Sequence, residues 1–209
     1  MRMILVGQYD SPYVRRVAIS LRVLDLDYGH DTRSVFGDFD SMRTTNPLGR
    51  IPSLILDNGE ILIDSAAILD WLDEQVGSER ALLPRSGFER REALRRIALA
   101  TGAIDKFGSA NYERLIRPSQ VRWPEWITRC LTQGNGALAA LESMPWPEDA
   151  ALDQAQITTG CMINYLKVTA PEYFSTQHFP ALNALSHRLE QNPAFRATRF
   201  EGYAVPRAS

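Results

Sequence analysis

Two short polar pairs in this sequence have the residue types and the position that stabilise an anion. Ser11 directly precedes Pro12, and Asp64 directly precedes Ser65, each ahead of apolar residues at helical spacing. Ser and Asp are favoured helix N-caps, and Pro is favoured at the first helical position. Because a helix N-terminus presents free N–H groups, either pair could hold an anionic group. A purely structural cap explains the same residues.

A third feature lies between these pairs. Ser53 to Leu56 and Ile61 to Ile63 are apolar, β-branched runs on either side of Asn58-Gly59, which predicts a hairpin with a two-residue type I′ turn. Pro52 stands just before the first run, where an X-Pro bond is cis or trans. A cis bond would leave the backbone of Ile51 free to pair with an extended, peptide-like ligand. Both isomers are compatible with the sequence.

The elements around these features predict an α/β N-terminal part. Met3 to Val6 reads as a buried strand, Pro12 begins an amphipathic helix, and Asp27 to Val35 is a weak second strand. An irregular segment, Phe36 to Thr45, leads to the hairpin and then to a helix that ends near Glu74. The predicted order is β-α-β-α-β-β-α, in which the first two strands are parallel and the hairpin is antiparallel.

The second half of the chain predicts an all-helical domain. Residues 77–87 read as a linker, which gives domains at 1–76 and 88–209. Helices are expected at Phe88 to Phe107, Trp126 to Leu141, Asp153 to Lys167, Ala181 to Leu189 and Pro193 to Arg199. Asp153 and Gln156 have the spacing of a capping box. Ile157 to Leu166 is almost wholly apolar and predicts a buried central helix.

Composition indicates an ordinary globular protein. The 209 residues are 44% apolar and carry a net charge of −2, which gives no overall attraction to nucleic acid or to an anionic membrane. Apolar runs are shorter than the roughly 18 residues of a membrane span. Cys130 and Cys161 lack metal or redox spacing and are expected in the core. We therefore expect a cytoplasmic protein without metal, nucleic-acid partner or membrane partner.

The chain resembles the glutathione S-transferase superfamily over essentially its whole length. The residues that carry the resemblance are Ser11-Pro12-Tyr13-Val14-Arg15-Arg16-Val17, Asn46-Pro47-Leu48-Gly49-Arg50-Ile51-Pro52, Asp64-Ser65, the buried helix Ile157 to Leu166, Phe179-Pro180-Ala181-Leu182 and Asn192-Pro193-Ala194-Phe195. The resemblance implies a thioredoxin-like N-terminal domain (1–76) that binds glutathione. It also implies a helical domain that forms the second-substrate pocket, and a homodimer.

The resemblance assigns roles to particular residues. Ser11 would contact the glutathione sulfur, and Ile51 would pair its backbone with the cysteinyl residue beside a cis Pro52. Asp64 and Ser65 would hold the γ-glutamyl end, with its carboxylate on Ser65 and on the helix N-terminus. The glycyl carboxylate is assigned to Arg50.

Tyrosines offer alternatives to Ser11 at the sulfur. Other branches of the superfamily use a tyrosine hydroxyl there, so Tyr9 and Tyr13 are rival donors. Tyr9 is otherwise expected to line the second-substrate pocket, together with Tyr112 and Trp123. A cysteine is absent from these site positions of the sequence, which disfavours the cysteine-dependent thiol-transfer branches.

One departure from related bacterial sequences concerns the first helix of the helical domain. These relatives often carry an aspartate that reaches the glutathione amine of the partner subunit, and that position is matched here to Thr101. One ionic contact to glutathione would then be missing.

Two classes of function follow. The first is a glutathione transferase that stabilises the thiolate of its co-substrate for attack on an apolar electrophile. An isomerase, a peroxidase or a disulfide reductase could use the same glutathione site. The second class is a non-enzymatic interaction protein of the kind that binds RNA polymerase. The presence of both Ser11-Pro12-Tyr13 and Asp64-Ser65 favours the first class.

Overall fold

A four-stranded mixed sheet forms the N-terminal part of the protein. The structure is a computed structural model that describes residues 2–200 and Gly202. The last residues of the predicted 88–209 domain, 203–209, lie outside the described part. The strands are β1 (Met3–Val6), β2 (Tyr28–Asp31), β3 (Ser53–Ile55) and β4 (Ile61–Ile63). They lie in the order β2-β1-β3-β4, with β1 parallel to β2 and the other two pairs antiparallel.

Eight α-helices accompany the sheet in the described part of the chain. They are α1 (Pro12–Val23), α2 (Phe39–Thr45), α3 (Ser65–Val76), α4 (Gly87–Leu115), α5 (Pro124–Glu142), α6 (Gln154–Thr169), α7 (Pro180–Leu189) and α8 (Pro193–Arg196). The first seven elements follow the predicted order, and α1 makes the crossover between the parallel strands. The predicted fold class, a thioredoxin-like domain followed by helices, is confirmed.

Two local predictions in the N-terminal part were wrong. The turn of the hairpin is not at Asn58-Gly59: the Gly59 N–H donates to the Leu56 carbonyl at 2.9 Å, so Asp57 and Asn58 are its central residues. Gly59 follows with φ 87°, as in a type I turn with a bulge. The second strand ends at Asp31 rather than at Val35, because the polar residues that follow form a loop and not a ladder.

The helical part is built around α6. As predicted, its N-terminus carries a capping box: Asp153 accepts from the Gln156 N–H, and the Gln156 side chain accepts from the Asp153 N–H. The helix is buried along most of its length and packs against α1, α4 and α7. Helix α4 runs eight residues beyond the predicted end at Phe107, because neither proline nor glycine stands between Gly108 and Pro118. None of the helices in the described residues has the length and apolar character that a bilayer span requires.

A buried ion pair fastens α1 to the C-terminal helices. Arg15 is fully buried, and its Nη2 donates to Glu190 Oε1 at 2.9 Å. The same guanidinium donates to the carbonyl oxygens of Phe195 and Thr198, at 3.1 Å each. A charge removed from water needs a close counter-charge. Glu190 therefore holds the sheet-bearing part of the chain against the helices.

We predict that Glu190→Gln lowers the free energy of unfolding by about 3 kcal/mol, because it leaves the Arg15 charge buried without its partner. Urea denaturation measures this. The control is Glu92→Gln, which removes a partner of Arg95 at 4.0 Å in a largely exposed pair. An exposed pair contributes less than about 1 kcal/mol. Equal effects of the two variants would contradict a structural role for the buried pair.

Candidate functional site

Ser11 lies where the loop after β1 enters α1. It is the N-cap of the helix, and its Oγ accepts from the Val14 N–H at 3.4 Å, a long cap bond. The side chain is half-buried and lines a cavity of about 600 Å³. The hydroxyl proton is not used by the cap, since the oxygen is the acceptor there. Ser11 thus presents a donor to the cavity at the positive end of a helix dipole.

The loop before β3 forms one wall of the site. The Ile51-Pro52 bond is cis. Buried Asn46 shapes this loop: its Nδ2 donates to the Arg50 carbonyl at 2.8 Å, and its Oδ1 accepts from the Leu48 N–H at 3.0 Å. Among the described residues, no backbone partner pairs with the N–H or C=O of Ile51. The backbone of Ile51 is therefore available to an extended ligand.

The Asp64-Ser65 pair opens α3 at a second, smaller cavity of about 310 Å³. Asp64 has φ 67° and ψ 132°, a combination that residues with a Cβ rarely adopt. Its Oδ1 accepts from the Ala66 N–H at 2.8 Å and so holds this conformation. Ser65 is buried, and its Oγ accepts from Arg16 Nη2 at 2.6 Å. Backbone strain of this kind clusters at ligand sites.

The two cavities adjoin each other. Four residues line both of them: Tyr13, Arg50, Ile51 and Asp105. The smaller cavity also contains Arg16, Pro52, Asp64, Ser65 and Thr101, whereas the larger contains Ser11, Val35, Phe36, Ile104, Tyr112 and Tyr165. A polar compartment at two helix N-termini therefore opens into a compartment with aromatic and aliphatic walls.

Tyr13 sits at the junction with its hydroxyl engaged. The Tyr13 hydroxyl lies 2.5 Å from Asp105 Oδ1 and 3.2 Å from the Thr101 carbonyl oxygen. Burial, and then the hydrogen bond and charge of Asp105, raise the pKa of the Tyr13 phenol well above its ordinary value. A phenol already donating to a carboxylate is a poor donor to a second anion.

The three residues predicted to line the second-substrate pocket lie in different places. Tyr112 lines the larger cavity and makes an edge contact with Phe36, with ring centroids 6.1 Å apart. Tyr9 and Trp123 are not among its lining residues. The Tyr9 hydroxyl bonds that of Tyr28 at 2.9 Å, and its ring stacks on His30. These contacts hold Tyr9 outside the lining of the larger cavity.

Trp123 lies outside the larger cavity as well. It is 59% exposed at the start of α5, and its ring stacks on Trp126 with centroids 6.3 Å apart. The backbone N–H of Trp123 donates to Glu113 Oε1 at 2.9 Å.

Metal-binding and reactive cysteine chemistry were also considered for this site. In the described residues, no group of three or more His, Cys, Asp or Glu side chains is placed to hold a metal ion. Cys130 and Cys161 are both buried, and burial raises the pKa of the Cys161 thiol to about 12.

Comparison with known proteins agrees with this architecture. The family model for the glutathione S-transferase N-terminal domain matches residues 5–80. A maleylacetoacetate isomerase from Pseudomonas aeruginosa is 33% identical over 150 residues, which are 67% of this chain and 68% of the relative. The chain belongs to the glutathione S-transferase family.

Solved structures of this family superpose on nearly the whole chain. A glutathione transferase family member from Pseudomonas fluorescens Pf-5, solved with bound glutathione, is 34% identical, with a TM-score of 0.83 over 94% of this chain and 98% of that one. A glutathione S-transferase from Methylobacterium radiotolerans, in complex with glutathione sulfonate, is 28% identical, with a TM-score of 0.90 over 100% and 99% of the two chains.

Several site residues of this glutathione S-transferase family member were missed from the sequence. Asp105, one helical turn after Thr101, lines both cavities, so a carboxylate is present on this face of α4 although Thr101 is not one. The spacing of four residues was a usable signal. Arg16 was named only as part of the motif around Ser11. Phe36 and Tyr165 gave no signal, because their place in the larger cavity depends on contacts between distant segments.

We predict that Gly7→Ala destabilises the wall of the site. Gly7 has φ +124°, and a Cβ there would lie 2.7 Å from Ile51 Cβ and from Val14 Cγ2. Strain and overpacking together lower the free energy of unfolding by about 2–4 kcal/mol, measurable by urea denaturation. The control, Gly59→Ala, also sits at positive φ (+87°) but meets nothing within 4 Å, and should lose only about 1 kcal/mol. A smaller loss at Gly7 than at Gly59 would refute the packing argument.

Proposed function

We propose that this protein is a glutathione transferase, with Ser11 as the residue that stabilises the glutathione thiolate. The observation that carries the proposal is the Ser11 hydroxyl, free to donate at the start of α1 and facing the larger cavity. The glutathione bound in the Pseudomonas fluorescens relative supports the same co-substrate here. Transfer requires only that the thiolate and the electrophile are held together.

The polar groups that line the two cavities follow one another in an order that matches the functional groups of glutathione. We place its γ-glutamyl end in the smaller cavity at Asp64 and Ser65 and its cysteinyl backbone along Ile51, next to the cis Pro52. This placement carries the sulfur toward Ser11. Arg50 is exposed at the junction, where the glycyl carboxylate would lie.

The energies are sufficient for thiolate formation. A free thiol of this kind has a pKa of about 8.5, so only a few per cent is ionised at neutral pH. A depression of about two pKa units needs roughly 2.7 kcal/mol. One charge-assisted hydrogen bond contributes about 1.5–3 kcal/mol, and the helix dipole adds to it. Ser11 and α1 together can therefore supply the depression.

The walls of the larger cavity favour an apolar electrophile. Its aliphatic and aromatic lining comes from Val35, Phe36, Ile104, Tyr112 and Tyr165. Among the described lining residues, Arg50 is the only cation, and Asp10 and Asp105 are acidic. A strongly anionic second substrate would meet more negative than positive charge there. Detoxification of apolar electrophiles is the role that agrees with this lining.

A second candidate, glutathione-dependent isomerisation, is supported by the relatives. The Pseudomonas aeruginosa protein is a maleylacetoacetate isomerase, and this chain is 33% identical to it over the aligned region. Such an isomerase would use the same thiolate, which adds to a conjugated double bond and leaves again after rotation. The acidic lining of the larger cavity counts against an anionic substrate of this type.

We also propose a homodimer that works in the cytoplasm. Apolar side chains remain exposed beside the smaller cavity: Leu48, which lines it, is 67% exposed, and Ile63 on the edge strand β4 is 37% exposed. Leu94 is 42% exposed and lies seven residues before Thr101 on the same face of α4. An apolar border of this kind is typical of an interface.

We predict that Ser11→Ala leaves the glutathione Kd within about threefold but lowers kcat/KM with 1-chloro-2,4-dinitrobenzene by about 10- to 100-fold at pH 6.5. Ser11 stabilises the charged form, so its loss raises the pKa of the bound thiol, and the rising limb of the pH–rate profile moves to higher pH. Tyr9→Phe is the matched control and should behave as wild type, because its hydroxyl is bound to Tyr28. An unshifted pH–rate profile in Ser11→Ala would contradict the role of Ser11 and indicate that another group contacts the sulfur.

We predict that the enzyme conjugates neutral aryl halides with a kcat/KM at least about tenfold above that for maleylacetoacetate isomerisation. The reason is the repulsion between Asp10, Asp105 and an anionic substrate. Both activities are measured on the same preparation with saturating glutathione. The reverse order of rates would make isomerisation the primary activity.

A further inference from the structure

A cavity lined by α6 and α7 shares no lining residue with the two cavities of the candidate site. Its volume is about 760 Å³, which is within the range of small-molecule sites in proteins. The proposed glutathione site makes no use of it. Polar and basic side chains line this cavity, among them Asn164, Lys167, Asn183, Arg188 and Arg199.

Lys167, in the last turn of α6, is a partly buried cation in the wall of this cavity. Its Nζ donates to Asn183 Oδ1 at 2.9 Å and to Ser186 Oγ at 3.2 Å, and both of these acceptors are neutral. The Phe174 ring, whose centroid is 5.4 Å from Nζ, and the C-terminal end of α6 supply only partial negative charge. Because an ammonium carries three donors, one N–H remains beyond these two bonds.

The charge of Lys167 lacks a close counter-charge in the described part of the chain. No carboxylate there lies within ion-pair distance of it. Burial lowers the pKa of the Lys167 ammonium below its ordinary value, and the more distant charge of Glu190 offsets this only in part. A cation taken out of water needs a close counter-charge, and an anionic ligand in the cavity would supply it.

The two hydrogen bonds of Lys167 also turn donors of its neighbours toward other partners. An ammonium only donates, so the Asn183 side chain must face it with the amide oxygen, and the Asn183 NH₂ group is left to donate elsewhere. By the same argument Ser186 Oγ accepts from Lys167 and keeps its own proton as a donor. The wall beside the ammonium is therefore rich in donors.

Arg188 adds a second charge to the same cavity. Its Nη1 donates to the carbonyl oxygens of Pro147 and Glu148, at 2.6 and 2.7 Å, while its Nη2 is buried and has no hydrogen-bond partner. Within the described residues, no carboxylate is close enough to form an ion pair with Arg188. Two cations of one cavity thus lack a carboxylate partner.

The carboxylates that line the cavity do not cancel these charges. Glu190 is engaged by two other arginines, Arg15 at 2.9 Å and Arg199 at 3.5 Å. The side chain of Glu148 belongs to an exposed residue, where solvent and salt screen its charge. The cavity therefore has an excess of positive charge although the chain as a whole has a net charge of −2.

We propose that this cavity is a second ligand site, which binds the phosphate group of a small phosphorylated metabolite. Lys167 is its charged contact, and Arg188 contributes the second charge beside it. A phosphate group carries close to two negative charges and three strong acceptor oxygens, which matches two unpaired cations and the donors of Asn183 and Ser186. The volume leaves room for the rest of such a molecule. Since the site shares no residue with the glutathione site, both ligands can be bound at once.

The test is calorimetry with inorganic pyrophosphate as the probe, at constant ionic strength and with saturating glutathione. Wild type should bind one equivalent with a Kd below about 1 mM. Lys167→Gln should weaken binding by about 10- to 100-fold, the effect of one charge-assisted contact. The matched control is Lys106→Gln, since Lys106 is the other lysine of the sequence, lies on α4 and lines none of these cavities. It removes the same charge and should bind as wild type.

Thermal unfolding supplies the second readout, because Lys167 also joins α6 to α7. Pyrophosphate should raise the melting temperature of wild type and of Lys106→Gln by mass action. Lys167→Gln should lose this increase but should still unfold in one cooperative transition. A variant that is folded and no longer responds to pyrophosphate has lost a binding contact and not its structure.

Four results would overturn the proposal. The first is a wild type that binds no pyrophosphate at millimolar concentration, and the second is a Lys167→Gln variant with unchanged affinity. The third is binding that occurs only without glutathione, which would place pyrophosphate in the glutathione site. The fourth concerns succinate, which should bind at least about tenfold more weakly than pyrophosphate because each carboxylate has less charge and fewer acceptor oxygens. Equal affinity for succinate would contradict the assignment to phosphate.

Discussion

The meeting of two helix N-termini at one cavity is the constraint on which the rest of the site depends. The first turns of α1 and α3 both line the smaller cavity, and the Arg16–Ser65 hydrogen bond ties them together. Each helix start brings unsatisfied N–H groups and the positive end of a dipole. Two such ends together repel each other unless an anion lies between them. Both helix starts therefore favour an anionic group at this end of the site.

Helix α1 carries this arrangement because its successive residues face different parts of the molecule. Arg15 points toward the C-terminal helices and is neutralised by Glu190, which fixes the position of α1. Arg16 points into the cavity, and Ser11 caps the same helix at the larger cavity. Because one rigid helix carries all three residues, their positions relative to one another are set by the helix itself.

The fold could be predicted from local sequence signals. The candidate site could be predicted only in part, because it depends on contacts between residues that are far apart in the sequence. The caps at Ser11, Asp64 and Asp153 were predicted because a cap bonds within three residues of itself. The hairpin was predicted, but its turn was placed one residue too late, since Gly59 supplies the bulge and not the turn. Tyr9 was assigned to the pocket by its neighbourhood in the sequence, and its bond to Tyr28, nineteen residues away, takes it elsewhere.

The same limit applies to the comparison of the three candidate hydroxyl donors, which differ in contacts that only the structure shows. Ser11, Tyr9 and Tyr13 lie within five positions of one another, and each carries a hydroxyl. Tyr9 donates to or accepts from Tyr28, and Tyr13 is held by Asp105, which also raises its pKa. A phenol so held would have to break a bond to a carboxylate before it could serve a thiolate. Ser11 has only a long acceptor bond from Val14, which leaves its proton free. Among these three, the smallest side chain is the one whose hydrogen-bonding capacity remains available to a ligand.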